Sequence, residues 1–155
     1  MTFKLSERSK GRLAGVHPTL VKCVERAIEL TKVDFGVVYG LRTEEEQRRL
    51  VDAGKSQTMK SYHLRQPDGY GHAVDLMAYV DGNASWELNL YDDIADAMKK
   101  AAREVNAHIR WGAAWQIDDI RVWSGTMEDA MMAYIDLRRS EGKRPFIDGP
   151  HFELR

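Results

Sequence analysis

The chain has five histidines, at positions 17, 63, 72, 108 and 151, and two stretches around them have the residue types for metal chemistry. Ser61-Tyr62-His63 is followed, after an intervening turn, by Gly71-His72-Ala73-Val74-Asp75. The second stretch is Asp148-Gly149-Pro150-His151-Phe152-Glu153. His63, Asp75 and His151 together would offer two nitrogens and one oxygen to a zinc ion, leaving the fourth tetrahedral position for water. The same donor set also suits iron. Gly149-Pro150 holds an extended turn that can aim Asp148 at the water while His151 faces the ion. Taken singly, each stretch reads more readily as ordinary strand and turn than as metal ligand. Neither composition nor periodicity says that they meet in space.

The elements that must position these residues follow from patterning. Ser6 caps a short helix to Leu13. His17-Pro18-Thr19 opens a longer one, with Leu20, Val21, Val24, Ala27, Ile28 and Leu30 at helical spacing. Phe35 to Tyr39 reads as a strand, and Thr43 with Glu46 forms a capping box for a helix ending at Gly54. Lys55 to Gly71 is polar, with a turn at Pro67-Asp68-Gly69. A second strand covers Ala73 to Tyr79 and stops at Asp81-Gly82-Asn83. An amphipathic helix from Asn89 to about Ala107, a short strand at Ile109 to Trp111 and a helix from Thr126 to Arg139 follow. Pro145 to Leu154 forms a turn and a closing strand. Helices and short strands mix without a βαβ rhythm, which predicts an α+β fold.

Composition limits the partners. A chain of 155 residues is about one domain. The 23 Lys and Arg against 24 Asp and Glu leave a net charge of −1, which argues against nucleic acid as the main partner. Cys23 is the sole cysteine, so an intramolecular disulfide and a cysteine-based zinc site are both excluded; its place on an apolar helical face predicts an inert core thiol. No run of about 18 apolar residues is present, and the N-terminal residues lack the apolar stretch of a signal peptide. The expectation is a single domain made in a cytoplasm, without membrane insertion.

Ser61-x-His63 with Gly71-x-Ala73-x-Asp75 and Asp148-x-Pro150-His151-Phe152-Glu153 resembles the M15 family of zinc peptidases. That group contains D-Ala-D-Ala carboxypeptidases, D-Ala-D-Ala dipeptidases and phage L-alanyl-D-glutamate endopeptidases. Asp rather than Glu ahead of the final histidine looks most like the phage endolysin branch. Gly40-x-Arg42-Thr43 with Gln47, Gly54-x-Ser56-x-Thr58 leading into Ser61, and Trp111-Gly112 add to the likeness, which covers roughly residues 33 to 153.

The resemblance implies a LAS-type fold, a small mostly antiparallel sheet flanked by helices, as a single catalytic domain over residues 1–155 without a separate cell-wall-binding domain. It implies one zinc ion on His63, Asp75 and His151, with Asp148 as general base. Glu153 competes for that role, or partners a histidine N–H. Arg42 would stabilise the oxyanion or clamp a substrate carboxylate. Gln47 and Ser61 would contact the peptide, although Ser61 could instead close its loop through a local hydrogen bond. Trp111 would wall the cleft, leaving Trp86, Trp115 and Trp123 to packing or loop anchoring. His17 and His108 would be structural. The substrate implied is the peptidoglycan stem peptide, cut between L-Ala and D-Glu by a monomer. The endolysin pattern further implies a protein held in the host cytoplasm and released to the wall by a holin-type protein. A D-Ala-D-Ala carboxypeptidase or dipeptidase on the same fold, or a non-catalytic zinc-stabilised wall-binding domain, would share the metal set.

Two features depart from the family pattern. His63 and Asp75 lie twelve positions apart, farther than is usual, with an insert at residues 65–70. This makes His72 a rival ligand, but residues three apart on a strand face opposite ways, which favours His63. A long segment, 113–145, also separates Trp111-Gly112 from Asp148, where a short link is expected.

Overall fold

The computed structural model describes residues 2–155. The helices are α1 (Glu7–Arg12), α2 (Pro18–Leu30), α3 (Glu44–Asp52), α4 (Leu88–Val105) and α5 (Met127–Ser140). The strands are β1 (Asp34–Tyr39), β2 (Ala73–Val80), β3 (Asn83–Ser85), β4 (Ile109–Trp111) and β5 (His151–Leu154). The strands form one antiparallel sheet in the order β1-β2-β5-β4, with β3 paired to the far end of β2. The α+β expectation holds.

Strand periodicity sorts the sheet into two faces. Val74, Leu76 and Ala78 of β2, Ile109 and Trp111 of β4, and Phe152 of β5 are fully buried in the hydrophobic core. Helices α2 and α4 pack on each other in the same core, through Leu20, Val24, Ala27, Ile94, Met98 and Ala101. Burying each large side chain there contributes about 1.5–3 kcal/mol, which fixes the strand register. The alternate residues, Asp75, Arg110, His151 and Glu153, emerge on the opposite face, where the cleft lies.

Local signals place the helix ends. Ser6 accepts from the Ser9 amide, Thr43 and Glu46 complete their capping box, and Thr126 accepts from the Asp129 amide. Helix α4 ends on Asn106 in the left-handed conformation. The turn at Asp81-Gly82, where both residues have positive φ, continues into a hairpin rather than ending the sheet. Strand β3 is a three-residue edge with no alternation to reveal it. A short 3₁₀ turn at Ile120–Val122, capped by Asp119, is likewise an addition to the elements expected. No helix among the described residues is long and apolar enough to cross a membrane.

Candidate active site

Asp75 and His151 are direct partners across the β2–β5 ladder. His63 reaches them from the irregular segment between α3 and β2. That segment is pinned where it matters: the Arg42 amide donates to the His63 carbonyl (2.8 Å), the His63 amide to Ser61 Oγ (3.1 Å), and the His72 amide to the Tyr62 carbonyl (2.7 Å). One nitrogen of each imidazole and a carboxylate oxygen of Asp75 lie within 4.8 Å of one another, so the three can share a metal ion.

The outer nitrogens support this reading. His63 Nδ1 lies 2.9 Å from the Gly40 carbonyl oxygen and can only donate to it, which leaves Nε2 unprotonated 3.3 Å from Asp75 Oδ2 when the ring is neutral. His151 Nε2 donates to Glu153 Oε1 at 2.8 Å and presents Nδ1 3.3 Å from Asp75 Oδ1. Each histidine thus has a hydrogen-bond acceptor behind it that sets the tautomer and aims the other nitrogen inward, the arrangement expected of metal-ligating imidazoles. Gly40 can serve His63 because it has no side chain: a Cβ there would collide with the Arg12 carbonyl oxygen.

Electrostatics follow from this packing. Burial pushes the Asp75 carboxyl up, but the two imidazoles outweigh it and hold the group well below the usual carboxylate range. Burial opposes charge on His151, yet Asp75 and Glu153 raise its pKa well above the ordinary imidazole value. Asp148 moves the other way: burial first, then the charge of Asp75, push its carboxyl up. It is placed by backbone contacts alone, its amide donating to the Gly112 carbonyl (2.8 Å) and its carbonyl accepting from the His151 amide (3.1 Å).

The site opens into a cleft of about 1100 Å³. Arg42 lines it, with Nη2 3.9 Å from Asp75 Oδ2 and Nη1 donating to Gln47 Oε1 at 2.9 Å. Lys55, Lys60, Arg110 and Arg155 make the remaining rim strongly cationic.

Some expected roles change on this geometry. Trp111 does not wall the cleft: it is fully buried beneath it, where Nε1 donates to the Gly149 carbonyl (2.7 Å) and supports the Asp148 turn. Trp115, expected to serve packing, lines the cleft with its ring 5.7 Å from that of His151 and stacked on Phe146 at 6.0 Å. Both side-chain amide hydrogens of Gln47 are spent, on Ser56 Oγ and the Thr58 carbonyl, so it braces Arg42 and the loop rather than offering donors to a peptide. Ser61 closes its loop through the local hydrogen bond to the His63 amide. His72 faces away from Asp75, as strand alternation predicts, and bonds Asp68. The segment 113–145 contributes Trp115 and packs α5 against α4. Arg110 escaped notice although its signal was present: between buried Ile109 and Trp111 on a strand, it must point to the other face.

Two imidazoles and a carboxylate close enough to share a metal ion, with their outer atoms braced and a partly buried carboxylate of raised pKa beside them in an open cleft, make up the candidate site. Comparison with known proteins supplies the class. The sequence matches the phage L-alanyl-D-glutamate peptidase family over residues 1–155. It is 32% identical to the L-alanyl-D-glutamate peptidase of Escherichia phage T5, across 99% of both chains. The fold superposes on the crystal structure of the Serratia marcescens L-Ala D-Glu endopeptidase ChiX with a TM-score of 0.71 and 34% identity, covering 99% of this chain and 91% of that one. This chain belongs to the phage L-alanyl-D-glutamate peptidase family.

Proposed function

We propose that the protein is a zinc-dependent endopeptidase that hydrolyses the L-Ala–D-Glu bond of peptidoglycan stem peptides. The observation that carries this reading is the convergence of His63, Asp75 and His151, each imidazole backed by its own acceptor, beside Asp148 in the open cleft. A two-nitrogen, one-oxygen set with a free side toward the cleft fits a catalytic zinc ion. Bound there, zinc supplies a Lewis acid that polarises the scissile carbonyl and lowers the pKa of a water from 15.7 to about 7.

The remaining work falls to the chain's own groups. Asp148 takes a proton from the attacking water at its carboxylate and returns it to the leaving amine. Its raised pKa suits that task, because it makes the carboxylate a stronger proton acceptor than an ordinary one. Glu153 is not placed to compete, since its Oε1 is engaged by His151 Nε2; it orients the ligand. Arg42, braced by Gln47, offers its guanidinium to the oxygen that gains charge during attack. Trp115 and Phe146 form an apolar wall for the peptide. The cationic rim suits a substrate whose D-Glu, joined through its side chain, keeps a free carboxylate. As a single-domain monomer of this kind, the protein would act on the wall after a holin-type protein releases it from the host cytoplasm.

A peptidoglycan digest read by mass spectrometry tests the proposal, with chelator and with zinc added back. Chelator-sensitive, zinc-restored release of peptides with a new N-terminal D-Glu is the expected result. Loss of terminal D-Ala alone would move the protein to the carboxypeptidase branch, and a chain that holds zinc without cleaving would be a binding domain.

A further inference from the structure

A second cluster of metal-ligand groups lies on the other face of the segment that carries His63. His17 at the start of α2, Asp68 in the 65–70 insert and His72 just before β2 bring one ligand atom each to within 4.8 Å of the others. Both imidazole Nε2 atoms face the same oxygen, Asp68 Oδ2, at 3.7 Å from His17 and 2.6 Å from His72. The two rings stand 5.2 Å apart and nearly perpendicular, and Tyr70 walls the His17 side at 5.4 Å. We propose that His17, Asp68 and His72 form a second divalent-metal site, taking zinc or a similar imidazole-preferring ion, which clamps the 65–70 insert to the body of the domain.

The outer atoms are arranged much as in the first cluster. His72 Nδ1 lies 3.3 Å from the Leu154 carbonyl oxygen and can only donate to it, turning Nε2 inward. Asp68 Oδ1 accepts from the Tyr70 amide at 3.1 Å, leaving Oδ2 to face the imidazoles. The backbone is already stitched around the site: His17 donates to the Gly71 carbonyl (2.9 Å), Gly71 to Gly15 (2.9 Å) and Gln66 to Tyr70 (2.8 Å). Ligands held this way lose little freedom when an ion arrives. His72 must release the Nε2 proton that it shares with Asp68 Oδ2 at 2.6 Å, parting from that oxygen to ligate beside it, and His17 must adjust as well. Its Nδ1 now accepts from the Thr19 amide at 3.1 Å, capping α2, so coordination through Nε2 moves the ring proton to Nδ1 and releases that amide. That one hydrogen bond is exchanged for a metal–nitrogen bond. Side-chain exposures of 27% for His17, 41% for Asp68 and 19% for His72 leave the site open to an ion from solvent. Imidazole and carboxylate donors select zinc and its neighbours over magnesium or calcium.

The insert thereby gains a purpose. It supplies Asp68 within the stretch joining His63 to Asp75, so an ion at this site holds the loop between two residues of the first cluster. These ligands are distinct from His63, Asp75 and His151, so the inference stands apart from the catalytic proposal. The test is a zinc titration of the tag-free wild-type chain and the Asp68→Asn variant by native mass spectrometry, with the Thr19 amide followed by ¹H–¹⁵N NMR. The expected result is one zinc fewer in Asp68→Asn than in wild type, or the same ion bound at least 10-fold more weakly. The Thr19 resonance should shift with zinc only in the wild type. Equal zinc counts and affinities in the two chains, or a Thr19 amide indifferent to zinc, would overturn the proposal.

Discussion

His151 and Glu153 stand two residues apart on β5, on the same face of the strand, and His151 Nε2 donates to Glu153 Oε1 at 2.8 Å. One strand thus carries both a metal-ligand candidate and the carboxylate that orients it. Glu153→Gln keeps the shape and weakens the acceptor. We expect zinc affinity to fall about 10–100-fold, read by competition with a chelator of known strength, while the fold stays intact by circular dichroism. Unchanged affinity would remove Glu153 from this role.

Asp148→Ala separates proton transfer from metal holding. The variant is expected to bind zinc as the parent does and to lose about 10²–10⁴-fold in kcat, whereas His151→Ala loses both. Stem-peptide cleavage paired with metal analysis checks this. If Asp148→Ala stays close to full activity, Asp148 is not the base.

Metal loading should release protons. Without an ion, Asp75 and Glu153 hold His151 in its charged form at neutral pH, despite the opposing effect of burial. A ligating imidazole must be neutral. Zinc binding at pH 7 therefore displaces about one proton from His151, and affinity climbs with pH until that proton is already gone. Calorimetry in buffers of different ionisation enthalpy measures the release; heats independent of buffer would contradict it.

Gly112 marks a close approach. A Cβ there would collide with the Asp148 carbonyl oxygen and lie 3.0 Å from His151 Cβ, and the first of these is backbone that cannot swing aside. Gly112→Ala is expected to cost about 1–3 kcal/mol of stability and to reduce activity further by displacing the Asp148 turn. Denaturant melts and cleavage rates on the same preparation check both parts.

Asp92 on α4 supplies a pH dependence away from the site. Burial, with Asp93, Glu128 and Asp96 nearby, pushes its carboxyl up to about 6. The folded chain therefore holds this proton more tightly than the unfolded chain. Its contribution is fully present below the ordinary carboxylate range and is lost as pH rises through about 6. Asp92→Asn should melt above the parent at pH 8, by roughly 2–4 °C for each kcal/mol recovered, and the gap should close at pH 4. A gap independent of pH would sink the assignment.

The parts legible in sequence were those with a local cause. Capping residues placed α1, α3 and α5, and apolar spacing placed α2 and α4, because each signal acts within a turn or two of where it is written. The contest between His63 and His72 yielded to alternation alone, since Asp75 and His72 lie an odd number of residues apart on or beside β2. The exchange of roles between Trp111 and Trp115 was not legible. Trp111 closes the short strand β4 and Trp115 follows it four residues on, and only the packing of Phe152 against Trp111 (6.2 Å) and of Phe146 against Trp115 decides which ring is core and which is wall. Gln47 misled for a similar reason. Its partners Ser56 and Thr58 lie in a segment without periodicity, so nothing nearby in sequence announces that its amide is already occupied.

Strand β5 lies between β2 and β4, and its partners in β2 are more than seventy positions earlier in the chain. Closing so long a loop is slow and is rewarded only once the contacts form. The residues at stake, Asp148, His151 and Glu153, arrive with that strand or just ahead of it. A collapsed chain that has built its helices and the β1–β2 pair, but has not yet seated β5, would hold one histidine and one aspartate with nothing to complete them. Hydrolytic activity in this molecule therefore requires that β5 be seated, and a population lacking that strand would be silent rather than weakly active.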